Sequence, residues 1–524
     1  MTRKIPLSIL SAALLVLAFP PFSYGFAAWF SFVPLLWALD GAGKKQGFAL
    51  GYIYGFVFFL GTVNWVIHSM YHYGGVPMSA SVLVMLTLVA YLSLFPAIFG
   101  LFFSASSGAS VAARVILAPS LWVSAEYLRG YLFTGLPWAV LGYTQAHYLP
   151  LIQIADNTGV WGISFLVVAA NAAIYFLARA YAKKERLPVG EALVVALLVA
   201  STAIYGLLTI RNIDKDMTSW SKIKAGVLQG SIDQGVKWDK SYQQKTLDIY
   251  RALSVNAARA GAHLLVWPET AVPFYLEADK VKDGFIGDIV RETGSYLLTG
   301  SPSYNYNRGS GTIEYFNSAY LISPDAEVKG RYDKVHLVPF GEYVPLKSIL
   351  PFEKLTAGVG DFTSGPGPIP IRFEGGGIGV LVCFESIFPE LARHEVKNGA
   401  TVLVNITNDG WFGRTAAPYQ HFEMSILRAA ENKIFLLRSA NTGISAIIDP
   451  VGRVRKKTRL FEKAALVDEI GLRRSSPTFY TAYGDVFTYF CFAVSAFFVF
   501  NVLKSPGRGQ APEDARSREP RRRR

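Results

Sequence analysis

The sequence predicts a membrane-embedded bundle of about eight α-helices joined to an extramembrane α/β domain. Seven apolar runs lie before residue 210, short β-rich apolar runs alternate with helical segments between residues 211 and 472, and an eighth apolar run follows. The chain has 524 residues, 51% of them hydrophobic, and a mean hydropathy of +0.29. This composition is too apolar for a purely soluble protein and too long for one ordinary domain.

The apolar runs of the N-terminal part approach or reach the length needed to cross a membrane. They cover residues 5–22, 24–39, 47–69, 79–103, 109–130, 158–182 and 190–209. Because a hydrocarbon core requires ~20 apolar residues, we expect about seven transmembrane helices in a domain of residues 1–210. The first two runs are short and interrupted by proline, so a re-entrant hairpin is an alternative to two full crossings there.

The distribution of basic residues predicts the orientation of these helices. Lys and Arg precede the first, third and seventh runs, whereas the connections at residues 69–78 and 133–157 contain none. By the positive-inside bias, the N-terminus is cytoplasmic and residue 210 lies on the outer side. The eighth run, residues 483–503, then returns the chain to the inside. The tail, residues 504–524, holds eight basic and three acidic residues and is predicted to be a disordered cytoplasmic segment.

Residues 211–472 have the composition of a layered α/β sandwich, because strand and helix patterns alternate along them. Helices are predicted at 242–260 and 419–432. Strands are predicted at 224–229, 263–267, 296–300, 317–322, 378–382, 401–407, 434–439 and 445–448.

Cys383 lies where one of these strands ends. The apolar strand Ile378–Val382 follows a glycine turn, and polar residues and Pro389 come after the cysteine. A thiol at such a bend has a fixed backbone, and free N–H groups of the following turn can face a developing oxyanion. A lone cysteine in an apolar run is more often a small core residue, so the neighbouring motifs must decide.

Two other stretches have the same arrangement of a strand followed by polar residues. Glu269 follows an apolar strand broken by proline, and a second stretch carries Lys334 and Glu342. A carboxylate can take a thiol proton, a lysine can stabilise thiolate and oxyanion, and a cysteine can carry an acyl group. Each residue alone also fits a solvated turn or a surface ion pair.

Order, spacing and flanking residues together are more specific. Trp-Pro-Glu269, Tyr-Asp-Lys334-Val-His-Leu-Val-Pro-Phe-Gly-Glu342 and Cys383-Phe-Glu385 resemble the Glu-Lys-Cys signature of the nitrilase superfamily. The frame of eight spans around them is similar to the membrane-embedded apolipoprotein N-acyltransferase branch of that superfamily. The resemblance covers nearly the whole chain except the basic tail, and it implies an αββα nitrilase-like sandwich.

The resemblance implies roles for individual residues. Glu269 matches the general base, Lys334 the lysine that stabilises thiolate and oxyanion, and Cys383 the nucleophile. Glu342 and Glu385 match supporting acidic residues of the active site.

Three aromatic residues are expected to bind substrate. Trp238 falls where the family has a tryptophan associated with substrate, and Phe384 and Trp411 are further predictions. The family often has tyrosine after the cysteine, so Phe384 departs from the pattern and leaves this side chain only apolar packing.

The resemblance implies an acyltransferase of lipoprotein maturation in the bacterial inner membrane, with a periplasmic catalytic domain and both termini cytoplasmic. The acyl donor is a phospholipid, typically phosphatidylethanolamine, and the acyl group forms a thioester with Cys383. The acceptor is the α-amino group of the S-diacylglyceryl cysteine at the N-terminus of an apolipoprotein, so the kinetics are ping-pong.

Alternative functions differ in what happens to the acyl group. A membrane-tethered nitrilase-type amidase would use the same three residues but release the acyl group to water. A transporter would need charged or broken helices along a mid-membrane path, which the sequence does not show. A structural scaffold would tolerate substitution of all three residues.

The remaining features concern lipid access and charge. Apolar loops at 271–276, 344–351 and 411–419 are predicted to flank a cleft open towards the bilayer. His68, His72 and the i,i+3 pair Glu126 and Arg129 are read as residues near membrane ends.

The net charge of +13 is better explained by topology and anionic lipids than by nucleic acid. With two cysteines and no metal, nucleotide or flavin motif, no cofactor is expected.

Overall fold

The computed structural model describes residues 3–276, 280–307, 309, 311–344 and 361–504. A helical part comes first, an α/β sandwich follows, and a last helix ends the described chain. The basic tail beyond residue 504 and most of the predicted apolar loop at 344–351 lie outside the described residues. The predicted combination of a helical membrane part and an α/β sandwich is confirmed.

The helical part contains eleven helices before residue 217 among the described residues. They are α1 (Ile5–Ala18), α2 (Ala28–Ser31), α3 (Val33–Leu39), α4 (Lys44–Val63), α5 (Trp65–His72), α6 (Met78–Ala105), α7 (Val111–Tyr131), α8 (Leu149–Ile152), α9 (Ala155–Thr158), α10 (Val160–Lys183) and α11 (Val189–Asp216).

Five segments of the described chain are long and apolar enough to cross a membrane: Lys44–Val63, Met78–Ala105, Val111–Thr134, Val160–Lys183 and Val189–Ser219. Shorter apolar helices cover Ile5–Ala18, Gly25–Leu39 and Val486–Asn501. These segments agree in position with the eight predicted runs. The first helix ends before Pro20 because the residue preceding a proline disfavours helical backbone.

The segment between α7 and α8, residues 132–148, is largely buried and is held by two charged residues of α7. Glu126 Oε1 accepts a hydrogen bond from the Leu141 N–H at 2.7 Å. Arg129 Nη1 donates to the carbonyls of Leu136, at 3.0 Å, and Trp138. Glu126 and Arg129, predicted as an i,i+3 pair, thus also bind this backbone, whose polar groups need partners in an apolar setting.

In the described part of the α/β sandwich, the strands form two sheets of six. The first has the order β12-β1-β2-β3-β4-β5, with β1 Ser221–Gln229, β2 Leu264–Val266, β3 Tyr296–Asn307, β4 Thr312–Ile322, β5 Val328–Asp333 and β12 Ala464–Leu472. The second has the order β11-β10-β9-β8-β7-β6, with β6 Ile371–Phe373, β7 Gly376–Val382, β8 Val402–Thr407, β9 Leu436–Ala440, β10 Ala446–Ile448 and β11 Val454–Lys457. β1, β2 and β3 are parallel to one another, as are β7, β8 and β9.

Helices cover the outer faces of both sheets and give four layers. They are α12 (Lys240–Arg259) and α13 (Phe285–Thr293) on the first sheet, and α14 (Pro389–Lys397) and α15 (Ala417–Asn432) on the second. Two further helices follow, α16 (Phe479–Tyr483) and α17 (Val486–Lys504), and α17 packs on α7 of the helical part. One apolar core lies between the two sheets, including Val227 and Val404, and a second packs α12 and α13 on the first sheet. This is the αββα arrangement.

The outer face of the second sheet shares its core with the membrane part. One hydrophobic cluster joins Leu403 and Ile426 of the sandwich to Trp138 and Ile152 of the helical part. Every residue of α15 except Tyr419 is buried. The sandwich is therefore packed on the helical part by a continuous apolar interior.

Strands β1 and β12 pair antiparallel, with Ser221 opposite Leu472. β1 follows α11 directly in sequence, and β12 precedes α16 and α17. The entry and exit of the sandwich therefore lie side by side.

Candidate active site

Glu269, Lys334 and Cys383 lie beyond the ends of β2, β5 and β7. The first two strands belong to one sheet and β7 belongs to the other, so the site lies at the same end of both sheets. Asn317 bonds both Glu269 and the Glu342 partner of Lys334, and Glu385 joins the backbone just before Cys383 to the residues after Lys334, so the three groups belong to one buried cluster. All three side chains are less than a tenth exposed.

Cys383 begins a short 3-10 turn, Cys383–Ile387, with φ at 54°. This left-handed backbone is uncommon for a residue other than glycine and marks a held conformation. Burial raises the pKa of the Cys383 thiol, and the charge of Glu269 adds to this effect, whereas Lys334 and a hydrogen bond with Thr407 oppose it. The resting sulfur is therefore a protonated thiol, and its activation requires a base.

Glu269 has a carboxylate whose two oxygens are both fixed. Oε1 accepts a hydrogen bond from Asn317 Nδ2 at 2.7 Å, and Oε2 accepts from the Asn408 N–H at 2.9 Å. Asn408 comes directly after β8, in the second sheet, so the base is held between the sheets. A fixed carboxylate beside a protonated thiol can serve as its general base.

Lys334 is paired with Glu342 across both carboxylate oxygens. Nζ lies 3.0 Å from Oε1 and 2.9 Å from Oε2 of Glu342. Burial lowers the pKa of Lys334, but Glu342, followed by Cys383 and Glu269, outweighs burial and holds that pKa above its usual value. The lysine is thus a cation at neutral pH and can stabilise a thiolate or an oxyanion.

Asn317 connects the two glutamates. Its Nδ2 donates to Glu269 Oε1 and, at 3.0 Å, to Glu342 Oε1. Its carbonyl also accepts the Lys334 N–H at 2.9 Å. Asn317 was not predicted, because it lies within a strand rather than at a strand end.

Glu385 joins the nucleophile turn to the lysine segment. It accepts hydrogen bonds from the N–H groups of Val382, Val335 and His336 and from the hydroxyl of Tyr332. Burial raises the pKa of Glu385 to about 7, while the Val382 N–H and the charge of Lys334 act in the opposite direction. The contacts give this residue a positioning role.

Lys237 is a second buried cation at the site that sequence reasoning missed. Its Nζ donates to the carbonyl of Glu269 at 3.1 Å and to the hydroxyl of Thr270. Burial lowers the pKa of Lys237 to about 8, although the charges of Glu269 and Cys383 oppose this. Lys237 directly precedes Trp238, which was predicted to bind substrate, and this neighbourhood was the sequence signal that could have identified it.

The three predicted substrate-binding aromatics lie at the margin of this cluster or away from it. Trp238 is 48% exposed. The Phe384 ring packs edge-on against Phe388 with ring centroids 5.2 Å apart. Trp411 contacts the membrane part, since its carbonyl accepts a hydrogen bond from Ser69 Oγ at 2.9 Å. Substrate binding by these three residues stays a prediction.

The predicted apolar loops have different environments. In the loop at 271–276, Val272 and Leu276 are buried in the core under α12 and α13, whereas Phe274 and Tyr275 are half-buried, and a cleft open towards the bilayer stays a prediction. The loop at 411–419 packs on α5, where Trp65 and Phe412 have ring centroids 4.9 Å apart. His68, which was read as interfacial, meets this loop at Gly413.

A further polar cluster lies beneath the nucleophile turn and was also missed. It consists of Thr407, Asp409, His421 and Arg438, all buried. Asp409 accepts hydrogen bonds from Thr407 Oγ1 at 2.9 Å and from Arg438 Nη2 at 2.7 Å. Asp409 lies among polar residues just after the end of β8. Glu269, Lys334 and Cys383 were predicted from the same pattern of a strand followed by polar residues, so the sequence did contain a signal for Asp409.

Two family profiles match the chain. The profile of the apolipoprotein N-acyltransferase N-terminal domain matches residues 11–173, and that of the carbon-nitrogen hydrolases matches residues 224–478. Among solved structures, an amidase of the nitrilase superfamily from Nesterenkonia AN1 is 23% identical, with a TM-score of 0.37, covering 48% of this chain and 90% of the amidase.

Curated relatives match along nearly the whole chain. The apolipoprotein N-acyltransferase of Geobacter metallireducens is 44% identical over 498 residues, 94% of each chain. That of Bradyrhizobium diazoefficiens is 36% identical over 505 residues, 92% of each chain. With such identity over such a length, this chain belongs to the apolipoprotein N-acyltransferase family.

Proposed function

We propose that this membrane protein transfers a fatty acyl chain from a phospholipid to the α-amino group of an S-diacylglyceryl cysteine at the N-terminus of apolipoproteins. The observation that carries the proposal is the buried cluster of Glu269, Lys334 and Cys383 in a sandwich packed on apolar helices. The relatives that match the whole chain carry the name of this activity.

In the first half of the reaction, Cys383 is the nucleophile. Glu269 takes the thiol proton as sulfur attacks the ester carbonyl, and Lys334 with backbone N–H groups of the turn stabilises the oxyanion. The tetrahedral intermediate expels the glycerol oxygen, which receives the proton from Glu269. The products are a thioester on Cys383 and a lysophospholipid.

In the second half, the acceptor amine attacks the thioester carbonyl. Glu269 takes a proton from the amine, Lys334 again faces the oxyanion, and the intermediate expels the Cys383 sulfur, which recovers the proton. Glu342 keeps Lys334 charged and Glu385 holds the turn. We assign Trp238, Phe384 and Trp411 to the substrates, and phosphatidylethanolamine is the proposed donor.

The proposal includes a location in the bacterial inner membrane, with residues 211–472 in the periplasm. The basic connections before the first, third and seventh apolar runs support cytoplasmic termini. We divide the chain into a membrane domain (1–210), the catalytic domain, a last span (483–503) and a basic cytoplasmic tail.

Topology is tested with two single-cysteine variants in a Cys383→Ser, Cys491→Ser background. Asp325→Cys lies on an exposed turn of the sandwich, and Lys184→Cys lies between α10 and α11. In intact spheroplasts, an impermeant maleimide is expected to label the first and not the second. The reverse pattern contradicts the proposed orientation.

The chemistry is tested by incubating the purified protein with radiolabelled phosphatidylethanolamine and a diacylglyceryl-cysteine peptide. We expect an acyl adduct on Cys383 by mass spectrometry, an N-acylated peptide, and neither product with Cys383→Ala. Release of free fatty acid without N-acylated peptide supports the alternative, a nitrilase-type amidase. Wild-type transfer by Cys383→Ala refutes the mechanism.

A further inference from the structure

His421, on α15, contacts the peptide group of the nucleophile from below. Its Nε2 lies 3.2 Å from the carbonyl oxygen of Cys383 and 2.8 Å from Ser386 Oγ. Ser386 Oγ itself donates to the same carbonyl at 3.1 Å. The carbonyl of Cys383 is thus held by two buried side chains, neither of which has a role in the proposed chemistry.

The partners of His421 hold its ring at both nitrogens. A carbonyl oxygen only accepts hydrogen bonds, so Nε2 is the donor in the contact with Cys383. On the other side of the ring, Nδ1 lies 3.0 Å from Asp409 Oδ1, which only accepts, and 3.0 Å from Arg438 Nη2, which only donates. Burial, followed by the charge of Arg438, lowers the pKa of His421, whereas Asp409 and the Cys383 carbonyl oppose this shift.

The held carbonyl also fixes the direction of an N–H group. The Cys383 carbonyl and the Phe384 N–H belong to one planar trans peptide and therefore point in opposite directions. Phe384 is the second residue of the 3-10 turn, where N–H groups have no acceptor within the turn. A carbonyl directed at His421 leaves the Phe384 N–H directed away from it, where it can serve as an oxyanion donor.

The membrane part supports His421 from the opposite side. The rings of Trp138 and His421 have centroids 5.8 Å apart and planes 32° apart. Trp138 Nε1 donates to Gln420 Oε1 at 2.6 Å, and its carbonyl accepts from Arg129 of α7. A packed chain of contacts therefore runs from Arg129 in the helical part through Trp138 and His421 to Cys383.

We propose that His421 is a positioning residue that orients the Cys383–Phe384 peptide for oxyanion stabilisation, and that Trp138 of the membrane part holds His421 in place. The membrane part is then a support of the active site as well as an anchor. This inference rests on the proposed chemistry at Cys383, specifically on its acylation step, which the transferase and the alternative amidase share.

Three substitutions separate the two ends of the His421 ring. His421→Gln retains a donor near the Nε2 position, His421→Asn retains a polar group near Nδ1, and His421→Leu retains neither. The test measures single-turnover acylation of Cys383, together with kcat and KM for the peptide, in the full-length protein in detergent micelles. His263→Gln, a half-buried histidine just before β2 at the opposite end of that strand, is the control.

We expect His421→Leu and His421→Asn to lower the acylation rate and kcat by about 10- to 100-fold, less than the ~10²–10³-fold loss on deleting an oxyanion donor, with KM changed less than about twofold. His421→Gln is expected to recover most of the rate. Equal rates for Gln and Asn, or an effect on KM alone, would overturn the proposal. Unfolding temperatures show that the compared variants are folded, and the Gln–Asn comparison stands even if the Leu variant does not fold.

A second pair of variants tests the membrane contact. Trp138→Phe retains a ring against His421 and loses the bond to Gln420, whereas Trp138→Leu loses both. We expect acylation by the Phe variant within about threefold of wild type and a larger loss for the Leu variant. Identical acylation rates in the two variants would remove Trp138 from the proposal.

If the wild type acylates Cys383 but passes the acyl group to water, the transferase assignment fails while the inference on His421 is still tested.

Discussion

Lys334 depends on Glu342 for its charge. The lysine is buried, and the acidic groups around it keep its pKa above the usual value, with Glu342 the largest favourable contribution, followed by Cys383 and Glu269. If Glu342 is replaced by an uncharged residue, its favourable charge is lost and burial lowers the pKa of Lys334. The cation that we propose to stabilise the oxyanion therefore depends on both residues of the Lys334–Glu342 pair.

We expect Glu342→Gln to shift the alkaline limit of kcat/KM to lower pH. At pH 9 the variant should lose about tenfold more activity than at pH 7, since one pKa unit corresponds to a tenfold change in protonation. Glu327→Gln, on the exposed turn before β5 and paired with Lys329, is the control. An equal loss of activity at all pH values would contradict the role of Glu342 in keeping Lys334 charged.

Glu395 on α14 is a buried carboxyl outside the site. Neither of its oxygens has a hydrogen-bond partner among the described residues. Burial, followed by the charge of Glu385, raises the pKa of Glu395 to about 9. The folded state therefore binds a proton that the unfolded state, with a carboxyl pKa near 4.5, has released. This group destabilises the fold increasingly as pH rises from about 4.5 to 9.

Glu395→Met is expected to stabilise the protein by about 1–3 kcal/mol at pH 8, because it removes an unsatisfied buried polar group. The gain should shrink at pH 5, which is close to the unfolded-state pKa of the carboxyl, so that folding of the wild type requires less proton uptake there. Thermal unfolding in detergent at both pH values measures it. An equal gain at pH 5 and pH 8 would show that packing, and not charge, is responsible.

At the scale of elements, α4 and α6 approach through small residues. Gly47, Gly51 and Gly55 recur every fourth residue of α4 and face α6. A Cβ on Gly51 would lie 2.3 Å from the carbonyl oxygen of Pro96. Small residues at this spacing let membrane helices pack backbone against backbone.

Gly51→Ala is therefore expected to cost about 1–3 kcal/mol through overpacking. The measurement is the unfolding temperature in detergent with the proportion of monodisperse protein. Gly43→Ala, just before α4, is the matched control, because a Cβ there meets no atom within 4 Å. Equal behaviour of the two variants is inconsistent with tight α4–α6 packing.

Local patterns identified some elements and missed others for physical reasons. Strands buried on both faces, such as β7 and β8, are continuous apolar runs and were predicted within a few residues. β11 and β12 carry charged side chains at exposed positions, and the two-residue period is weak there. The short helix α13 was missed because its amphipathic pattern spans little more than two turns.

The same distinction applies to the site. Glu269, Lys334 and Cys383 lie at strand ends that sequence patterns reveal. Asn317 and His421 reach the site through sheet pairing and helix packing, and local sequence carries no record of contacts between residues 38 positions apart. The resemblance to a known family implied the roles of Glu269, Lys334 and Cys383, whereas the residues that hold them in place became visible only in the fold.

At the scale of the whole molecule, the sandwich and the helical part share one apolar interior. α15 lies between the second sheet and the helical part, with Arg428 donating to the Tyr143 hydroxyl and the Val160 N–H donating to Glu431. Excision of the sandwich would expose this helix face and leave Arg428 and Glu431 without those partners.

We expect a fragment of residues 217–476 to aggregate or fail to unfold cooperatively in detergent-free buffer. Size-exclusion chromatography and thermal unfolding by circular dichroism measure this, with the full-length protein in detergent as reference. A monomeric fragment with a cooperative transition would contradict a shared core.

The side-by-side pairing of β1 and β12 has a consequence for biogenesis. β1 is the first strand that the ribosome makes, and β12 is the last. Until β12 emerges, the edge of β1 beside it is an open template for other chains. Pairing of that edge with β12 and translation of α17, the last described helix, occur within a short stretch of synthesis, so we expect the nascent protein to be most exposed to aggregation just before α17 is made.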